Sequence, residues 1–139
     1  MTSDLNARPR LAALIVTHGA LATALQQAVQ QVTGRGVGMD TVSNVGLSAE
    51  ALVQRVREAI LAIDAEGCIV FVDSRGSSCA NSCLQAVRDL ADVRIVSGVN
   101  LPMLMDFALR RNDHSLDAMV ARIIERGRSS IQELEGPAS

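Results

Sequence analysis

The chain has 139 residues, 48% of them hydrophobic, and carries a net charge of −2. That length suits one domain with a sizeable core, and the charge offers no basic surface for nucleic acid or anionic lipid. Every basic residue is Arg, which excludes mechanisms that need a catalytic or phosphate-loop Lys. Aromatic side chains are limited to Phe71 and Phe107, so stacking sites for bases, sugars or flavins are nearly excluded.

The three cysteines stand at no zinc-like spacing, and we predict neither a metal nor a cofactor. Cys68 lies in an apolar run and is expected in the core. Cys79 and Cys83 are one helical turn apart, which leaves a redox pair open, although small helix-face residues are the simpler interpretation. No signal peptide or membrane-spanning run is evident, so we expect a cytoplasmic protein with no direct membrane insertion.

The first half of the chain alternates apolar runs with amphipathic segments. Residues 1–10 predict a flexible tail, 11–134 a single domain and 135–139 a C-terminal tail. LAALIVT predicts a buried strand and DTVSNVGL a weaker one near the sheet edge, with the turn GRGVG before it. Between the two strands, LATALQQAVQQV predicts a helix whose apolar stripe is Leu21, Leu25, Val29 and Val32.

The second half continues the alternation. GCIVFVD and VRIVSGV predict the third and fourth strands, and three helices are expected to start after Ser48, Asn100 and Ser115. The apolar face of the first of these helices is predicted to hold Leu52, Val53, Val56 and Ile60. A further helix follows the Gly/Ser loop after Asp73, with Cys83, Leu84, Val87 and Leu90 predicted inward. The last helix is predicted to bury Leu116, Met119, Val120, Ile123 and Ile124.

This order predicts an α/β fold with a doubly wound, mainly parallel sheet and helices on both faces. Continuously apolar strands joined by helices are typical of a parallel sheet that is covered on both sides. Right-handed crossovers favour the strand order 2-1-3-4, in which strands 1 and 3 are neighbours. Ligands of such sheets bind at the carboxyl ends of the strands, where the order reverses.

Two residues whose side chains could take part in a reaction are expected at the carboxyl ends of these strands. His18 follows the first strand and Asp73 ends the third, so their side chains should face one crevice. A carboxylate beside one imidazole nitrogen fixes the tautomer and raises the basicity of the other nitrogen, as a nucleophilic histidine requires. A histidine with a purely structural role is the alternative at this position. His114, in a polar loop, is predicted to be a solvated residue.

The surroundings of this pair suit an anion. Helix starts are expected after Gly19 and after Ser77 and Ser78, where free N–H groups and the positive end of the helix dipole favour negative charge. Gly19 and Gly76 would allow close backbone approach. Ser77 and Ser78 add hydroxyl donors, and Arg75 adds a fixed positive charge. Without lysine or metal, this set predicts a phosphohistidine site.

Three segments resemble the enzyme IIA domain of the mannose-type sugar phosphotransferase system. They are ALIVTHGALATALQQAV, IVFVDSRGSSCANSCLQAV and VRIVSGVNLPMLMDFAL, of which GVNLPML is the most distinctive. The resemblance implies a phosphotransferase component, with His18 accepting a phosphoryl group from the phosphocarrier HPr and passing it to a IIB partner. It also implies that Asp73 is the hydrogen-bonding partner of His18, that Ser78 holds phosphoryl oxygens, and that the chain forms a homodimer.

The loop after Asp73 departs from the family pattern. An aromatic or large apolar residue followed by Gly-Gly-Ser/Thr-Pro is usual there, whereas this chain has Arg75, Ser77 and Cys79 at the aromatic, second glycine and proline positions. Arg75 would either clamp the phosphoryl group or weaken HPr docking. Two alternatives to a sugar carrier therefore stay open: a regulatory IIA-like binding module and the phosphocarrier subunit of dihydroxyacetone kinase.

Overall fold

A computed structural model of the chain describes residues 9–36 and 38–137. Within these residues the chain forms four strands and five helices, which alternate except that the last two elements are both helices. The strands are β1 (Leu11–Thr17), β2 (Met39–Ser43), β3 (Gly67–Val72) and β4 (Val93–Val96). The helices are α1 (Leu21–Thr33), α2 (Ala49–Leu61), α3 (Ser78–Val87), α4 (Leu101–Arg110) and α5 (Leu116–Ser129).

The four strands form one parallel sheet in the order β2-β1-β3-β4. This confirms the predicted α/β class and the 2-1-3-4 order. Val16 pairs with Val72, and Thr17 pairs with Ser43, so β2, β1 and β3 end at the same edge of the sheet. The residues that follow these three strands are therefore brought together.

Both faces of the sheet are covered, as the continuous apolar strands predicted. Alternate residues of β1 enter different cores: Ile15 packs with α1, α4 and α5, whereas Leu14 packs with α2 and α3. Phe71 and Phe107 meet edge to face, with ring centroids 5.7 Å apart, and tie β3 to α4. The apolar helix α4 is thus buried largely within its own chain.

Hydroxyl and amide side chains start four of the helices. Ser48, Ser77, Asn100 and Ser115 each accept a hydrogen bond from the main-chain N–H three residues later. Such caps satisfy N–H groups that have no acceptor within the helix. The predicted starts after Ser48, Asn100 and Ser115 are confirmed.

Two predicted helix faces are confirmed in part: Leu25 and Val29 of the one pack against the core, as do Cys83, Val87 and Leu90 of the other. In α1, Leu21 and Val32 are exposed, and the side packed on the sheet is formed by Ala22 and Val29. In α3, Leu84 is 58% exposed, because the small side chains of Cys79, Ala80, Cys83 and Ala86 face inward instead. Small residues let a helix pack closely on the sheet, and apolar size alone placed Leu84 wrongly.

Most of the predicted N-terminal tail and the end of the predicted C-terminal tail lie outside the residues that the structure describes. Residues 1–8, 37 and 138–139 lie outside the described residues, and residues 130–137 form neither helix nor strand. The division into tail, domain and tail therefore stays a prediction. In the part of the chain that the structure describes, no helix combines the length and apolar character that crossing a bilayer requires.

Candidate functional site

His18 and Asp73 meet directly beyond the ends of β1 and β3. The main-chain N–H of His18 donates to Oδ2 of Asp73 at 2.9 Å, and the imidazole Nδ1 lies 2.7 Å from the same oxygen. Residues 55 positions apart in sequence are thus joined by two hydrogen bonds, because β1 and β3 are neighbours in the sheet. The predicted pair is brought together at the predicted edge.

Asp73 is held as a carboxylate. Partial burial raises its pKa, but hydrogen bonds from the His18 main chain, the His18 side chain and the Ser74 main chain outweigh that effect and keep the pKa below the ordinary aspartate value. A carboxylate only accepts hydrogen bonds, so Nδ1 of His18 carries the proton of their contact. The lone pair of the neutral imidazole is then on Nε2.

Nε2 is the nitrogen of this ring that is free to react. The His18 side chain is 47% exposed, while the Asp73 side chain is only 16% exposed. Ser78 Oγ lies 3.1 Å from Nε2 and is the hydroxyl nearest the reactive position. The ring is therefore anchored on its buried side and open to a partner on the other.

Ser77 supports Asp73 more directly than it supports an anion. Its hydroxyl accepts from the Ala80 N–H at 3.1 Å and donates to Asp73 Oδ1 at 3.4 Å. Helix α3 begins at Ser78, where the first N–H groups have no acceptor within the helix. The N–H groups of Ser78 and Cys79, which precede the capped Ala80 N–H, are therefore better candidates for anion donors than the Ser77 hydroxyl.

Gly76 and Arg75 complete the loop before α3. Gly76 has φ +77, a left-handed conformation that favours glycine, and an added Cβ would meet nothing within 4 Å. Arg75 is exposed, and within the described residues its guanidinium has no ion pair or hydrogen bond. The guanidinium is thus available to a ligand, but it makes no contact with His18 within the described residues.

The loop of Gly19 is held by residues that the sequence analysis missed. The Gly19 N–H donates to Asn44 Oδ1 at 3.1 Å, and Ser43 Oγ donates to the Gly19 carbonyl at 2.8 Å. Gly19 has φ +58, so its left-handed backbone also favours glycine. Only the position of Asn44, directly after the second strand, could have indicated this role.

Helix α1 contributes less to an anion site than expected. The Ala22 N–H donates to the buried Thr17 Oγ1 at 2.7 Å, and the Leu21 N–H makes a longer bond to the His18 carbonyl. Both donors are thus used within the chain. At the start of α3 the Ala80 N–H is used in the same way, by the Ser77 hydroxyl, so neither helix start offers all of its N–H groups to an anion.

Cys79 also lies against His18, which the sequence analysis did not anticipate. Its Sγ is 3.6 Å from Nδ1 and 4.0 Å from Nε2, and the residue is fully buried. Burial raises the pKa of this thiol, and the charge of Asp73 raises it further. One ligand atom each from His18, Asp73 and Cys79 lie within 4.8 Å of one another, but the sulfur is nearly equidistant from both ring nitrogens and so lies over the face of the ring.

The other histidine belongs to a different part of the molecule. His114 lies half-buried in the turn between α4 and α5, where its Nδ1 donates to the Arg110 carbonyl at 3.3 Å. This turn is at the amino edge of the sheet, since the neighbouring Asn112 accepts from the N–H of Arg10, directly before β1. The two histidines therefore cannot act in one site.

The sequence of the chain is similar to a family of known proteins. The family described as "PTS system fructose IIA component", where PTS is the phosphotransferase system, matches residues 12–124. The "PTS system mannose-specific EIIAB component" of Escherichia coli K12 is 30% identical over 128 residues, which are 90% of this chain and 40% of that protein. The chain thus spans about two fifths of the length of the curated relatives it matches.

Solved structures share the fold. The phosphotransferase system component EIIA from Streptococcus agalactiae superimposes with a TM-score of 0.81 at 20% identity, covering 88% of this chain and 96% of that one. The mannose/sorbose-specific IIA subunit from Enterococcus faecalis gives a TM-score of 0.79 at 17% identity, covering 94% and 98%. At these identities the likeness concerns the fold alone.

Proposed function

Because the chain belongs to the mannose-type IIA family of the sugar phosphotransferase system, a family of phosphotransferase components, we propose that His18 carries a phosphoryl group. The group comes from HPr and passes to a IIB component for sugar uptake. The observation that carries the proposal is the 2.7 Å contact between His18 Nδ1 and Asp73 Oδ2. It leaves Nε2 unprotonated, exposed and ready to attack phosphorus.

The transfer exchanges one nitrogen–phosphorus bond for another. Nε2 of His18 attacks the phosphorus of the donor's phosphohistidine, the bond to the donor nitrogen breaks, and that nitrogen keeps the electron pair. The His18 ring gains positive charge as the new bond forms, while Nδ1 keeps its proton. Asp73 stabilises this charge without moving, so the site is organised before the reaction.

The negative oxygens of the phosphoryl group need donors close to Nε2. Ser78 Oγ, at 3.1 Å from Nε2, is placed to donate to one of them. The N–H groups at the start of α3 and the positive end of its dipole supply further stabilisation. Phosphoryl transfer depends mainly on such positioning and electrostatics, so no lysine or resident cofactor is required of this chain.

We assign the remaining features of the carrier on the same basis. A IIA component works between HPr and IIB, and we propose that the chain does so in the cytoplasm. We also propose a homodimer, which the family resemblance implies. The apolar side chains of Ile131 and Leu134, both strongly exposed beyond α5, support an interface near the C-terminal segment. Sedimentation equilibrium of the purified chain tests the dimer.

Phosphorylation by phosphoenolpyruvate, enzyme I and HPr from the same organism tests the central proposal. Intact-mass spectrometry should find one acid-labile phosphoryl group on the wild type and none on His18→Ala. His114→Ala is the matched control and should be labelled like the wild type, since its ring lies at the opposite edge of the sheet.

Two results would contradict the proposal. Labelling that survives in a folded His18→Ala protein would place the acceptor elsewhere. A lack of transfer from an active, cognate HPr would favour the regulatory module, in which the exposed Arg75 and the altered loop serve docking rather than relay.

A further inference from the structure

We propose that Cys79 is a positioning residue for His18, and that its buried sulfur supports one face of the imidazole ring while Nε2 reacts. The support of the ring rests on geometry alone, whereas its effect on phosphoryl transfer rests on the proposed function of His18. The Cys79 sulfur lies 3.6 Å from Nδ1 and 4.0 Å from Nε2, so it contacts the face of the ring rather than one of its nitrogens.

The sulfur is held in place by the core, whereas the ring is not. Cys79 lies in the first turn of α3, is fully buried and packs in the core cluster between the sheet, α2 and α3. The His18 side chain, in contrast, is almost half exposed. Sulfur is a soft, polarisable atom that packs favourably against ring systems. Burial also raises the pKa of the thiol, so it stays neutral and brings no second negative charge beside Asp73.

The hydrogen bond to Asp73 does not fix the ring by itself. The 2.7 Å contact between Nδ1 and Oδ2 holds one ring atom, but the plane of the ring can still tilt about that atom. A tilt of about 30° would move Nε2 by roughly 1 Å, and a misplacement of this size can cost about a hundredfold in rate. A fixed atom against one face of the ring opposes such a tilt.

The support matters most while the new bond forms. In the resting chain the Ser78 hydroxyl, 3.1 Å from Nε2, also holds the ring. A neutral imidazole has one acceptor lone pair, so a phosphorus atom that takes this lone pair displaces the hydrogen bond from Ser78. Of the side-chain contacts that the ring makes within the described residues, those with Asp73 and Cys79 then remain.

Nitrogen-15 NMR of the histidine rings tests the support without any phosphoryl donor. In the wild type, His18 should show a protonated Nδ1 and an unprotonated Nε2, without exchange broadening. In Cys79→Ala the tilting ring weakens its bond to Asp73, so the two nitrogen shifts should move towards each other as the tautomers exchange. Cys83→Ala removes another fully buried thiol, one helical turn further along α3, and is the matched control that should keep the wild-type shifts.

Quenched-flow transfer from phosphorylated HPr tests the effect on the reaction. The maximum rate of Cys79→Ala should fall about tenfold, because Nε2 is misplaced. The HPr concentration that gives half of the maximum rate should not change, because the buried sulfur cannot touch a partner protein. Cys83→Ala should change neither quantity. An equal loss of rate in the two variants, or a change confined to the HPr concentration, would overturn the positioning role.

Cys79→Ser replaces Cys79→Ala if the alanine variant fails to fold. Its oxygen leaves a smaller gap below the ring, so the maximum rate should fall about two- to fivefold. Wild-type ring shifts or a wild-type maximum rate in whichever variant folds would overturn the proposal. A chain whose His18 shifts respond to Cys79, yet which accepts no phosphoryl group from an active HPr, would contradict the proposed function and leave the support of the ring standing.

Discussion

Ser78 Oγ lies 3.1 Å from His18 Nε2, the ring nitrogen that Asp73 does not hold. Under the proposed function, a hydroxyl in this place would hold phosphoryl oxygens once the group is on His18. Hydrogen bonds to charged groups contribute about 1.5–3 kcal/mol, so we expect Ser78→Ala to slow phosphorylation of His18 by about tenfold or more. Quenched-flow transfer from phosphorylated HPr measures the rate.

Ser115→Ala is the matched control for that change. Ser115 also begins a helix through its hydroxyl, but it lies in the turn before α5, at the other edge of the sheet. A rate for Ser78→Ala equal to that of the wild type would show that the hydroxyl makes no use of its position beside Nε2.

Arg75 is expected to stabilise the phosphorylated form from the solvent side. Phosphorylation adds about −1.5 to −2 charges, and the Arg75 guanidinium has no partner among the described residues. An exposed ion pair contributes about 0.2–1 kcal/mol, so Arg75→Ala should hydrolyse its phosphohistidine about two- to fivefold faster. Arg88→Ala, at the far end of α3, should show the wild-type lifetime.

Intact-mass spectrometry follows this hydrolysis directly, as the loss with time of the mass added by the phosphoryl group. Equal lifetimes for wild type and Arg75→Ala would mean that the guanidinium stays in solvent when His18 is phosphorylated.

The lowered pKa of Asp73 predicts a loss of stability in acid. Partial burial raises this pKa, but the stronger combined effect of the His18 and Ser74 hydrogen bonds lowers it below the ordinary 3.8. The unfolded chain therefore takes up this proton first as the pH falls. The stabilisation is complete above 3.8 and is lost as the pH falls through the lower folded-state value.

Urea unfolding in the presence of chelator measures this effect. The difference in free energy of unfolding between wild type and Asp73→Asn should have its full value at about pH 5 and should shrink as the pH falls towards about 3. Asp113→Asn, an exposed carboxyl in the α4–α5 turn, should not reproduce the change. A difference that does not vary with pH would show that the hydrogen bonds to Asp73 do not favour its ionised form.

An ion pair between the buried Asp106 and the exposed Arg122 joins α4 to α5 and should matter for stability. Arg122 donates twice to the buried Asp106 carboxylate, at 2.8 and 3.1 Å. Arg122→Met leaves this carboxylate buried without its partner, and we expect a loss of about 1–3 kcal/mol in the free energy of unfolding. The measurement is urea unfolding at neutral pH.

Arg94→Met is the matched control, since Arg94 pairs with Asp117 where both side chains are exposed. Its cost should stay below about 1 kcal/mol. Equal costs for the two variants would contradict the view that burial, rather than pairing alone, makes the Asp106 contact important.

The sequence predicted those parts of the molecule that depend on continuous apolar runs. His18 and Asp73 directly follow strands that are buried on both faces, so the parallel sheet and its right-handed crossovers were enough to bring them together. The helix caps at Asn100 and Ser115 were equally predictable, because each is a local signal that acts over three residues. The family resemblance then suggested phosphoryl transfer as the function of the residues at the carboxyl edge of the sheet.

Contacts that depend on loop paths and on small residues were not predictable. Asn44 binds Gly19 only because two loops cross beyond the sheet edge. Cys79 faces His18 because α3 packs through its small side chains, which also turns Leu84 outward. Apolar size alone placed Leu84 inward together with Cys83, Val87 and Leu90, of which only the last three pack against the core.

The 55 positions between His18 and Asp73 give this site a connection with folding. Neither residue has its partner until β1 and β3 lie side by side, and closing so long a loop is among the slower steps in building a sheet. A chain still being synthesised, with Ser78 inside the ribosome, thus has its histidine but no working acceptor. Under the proposed function, uptake of a phosphoryl group by His18 would therefore also report that β1 and β3 have paired.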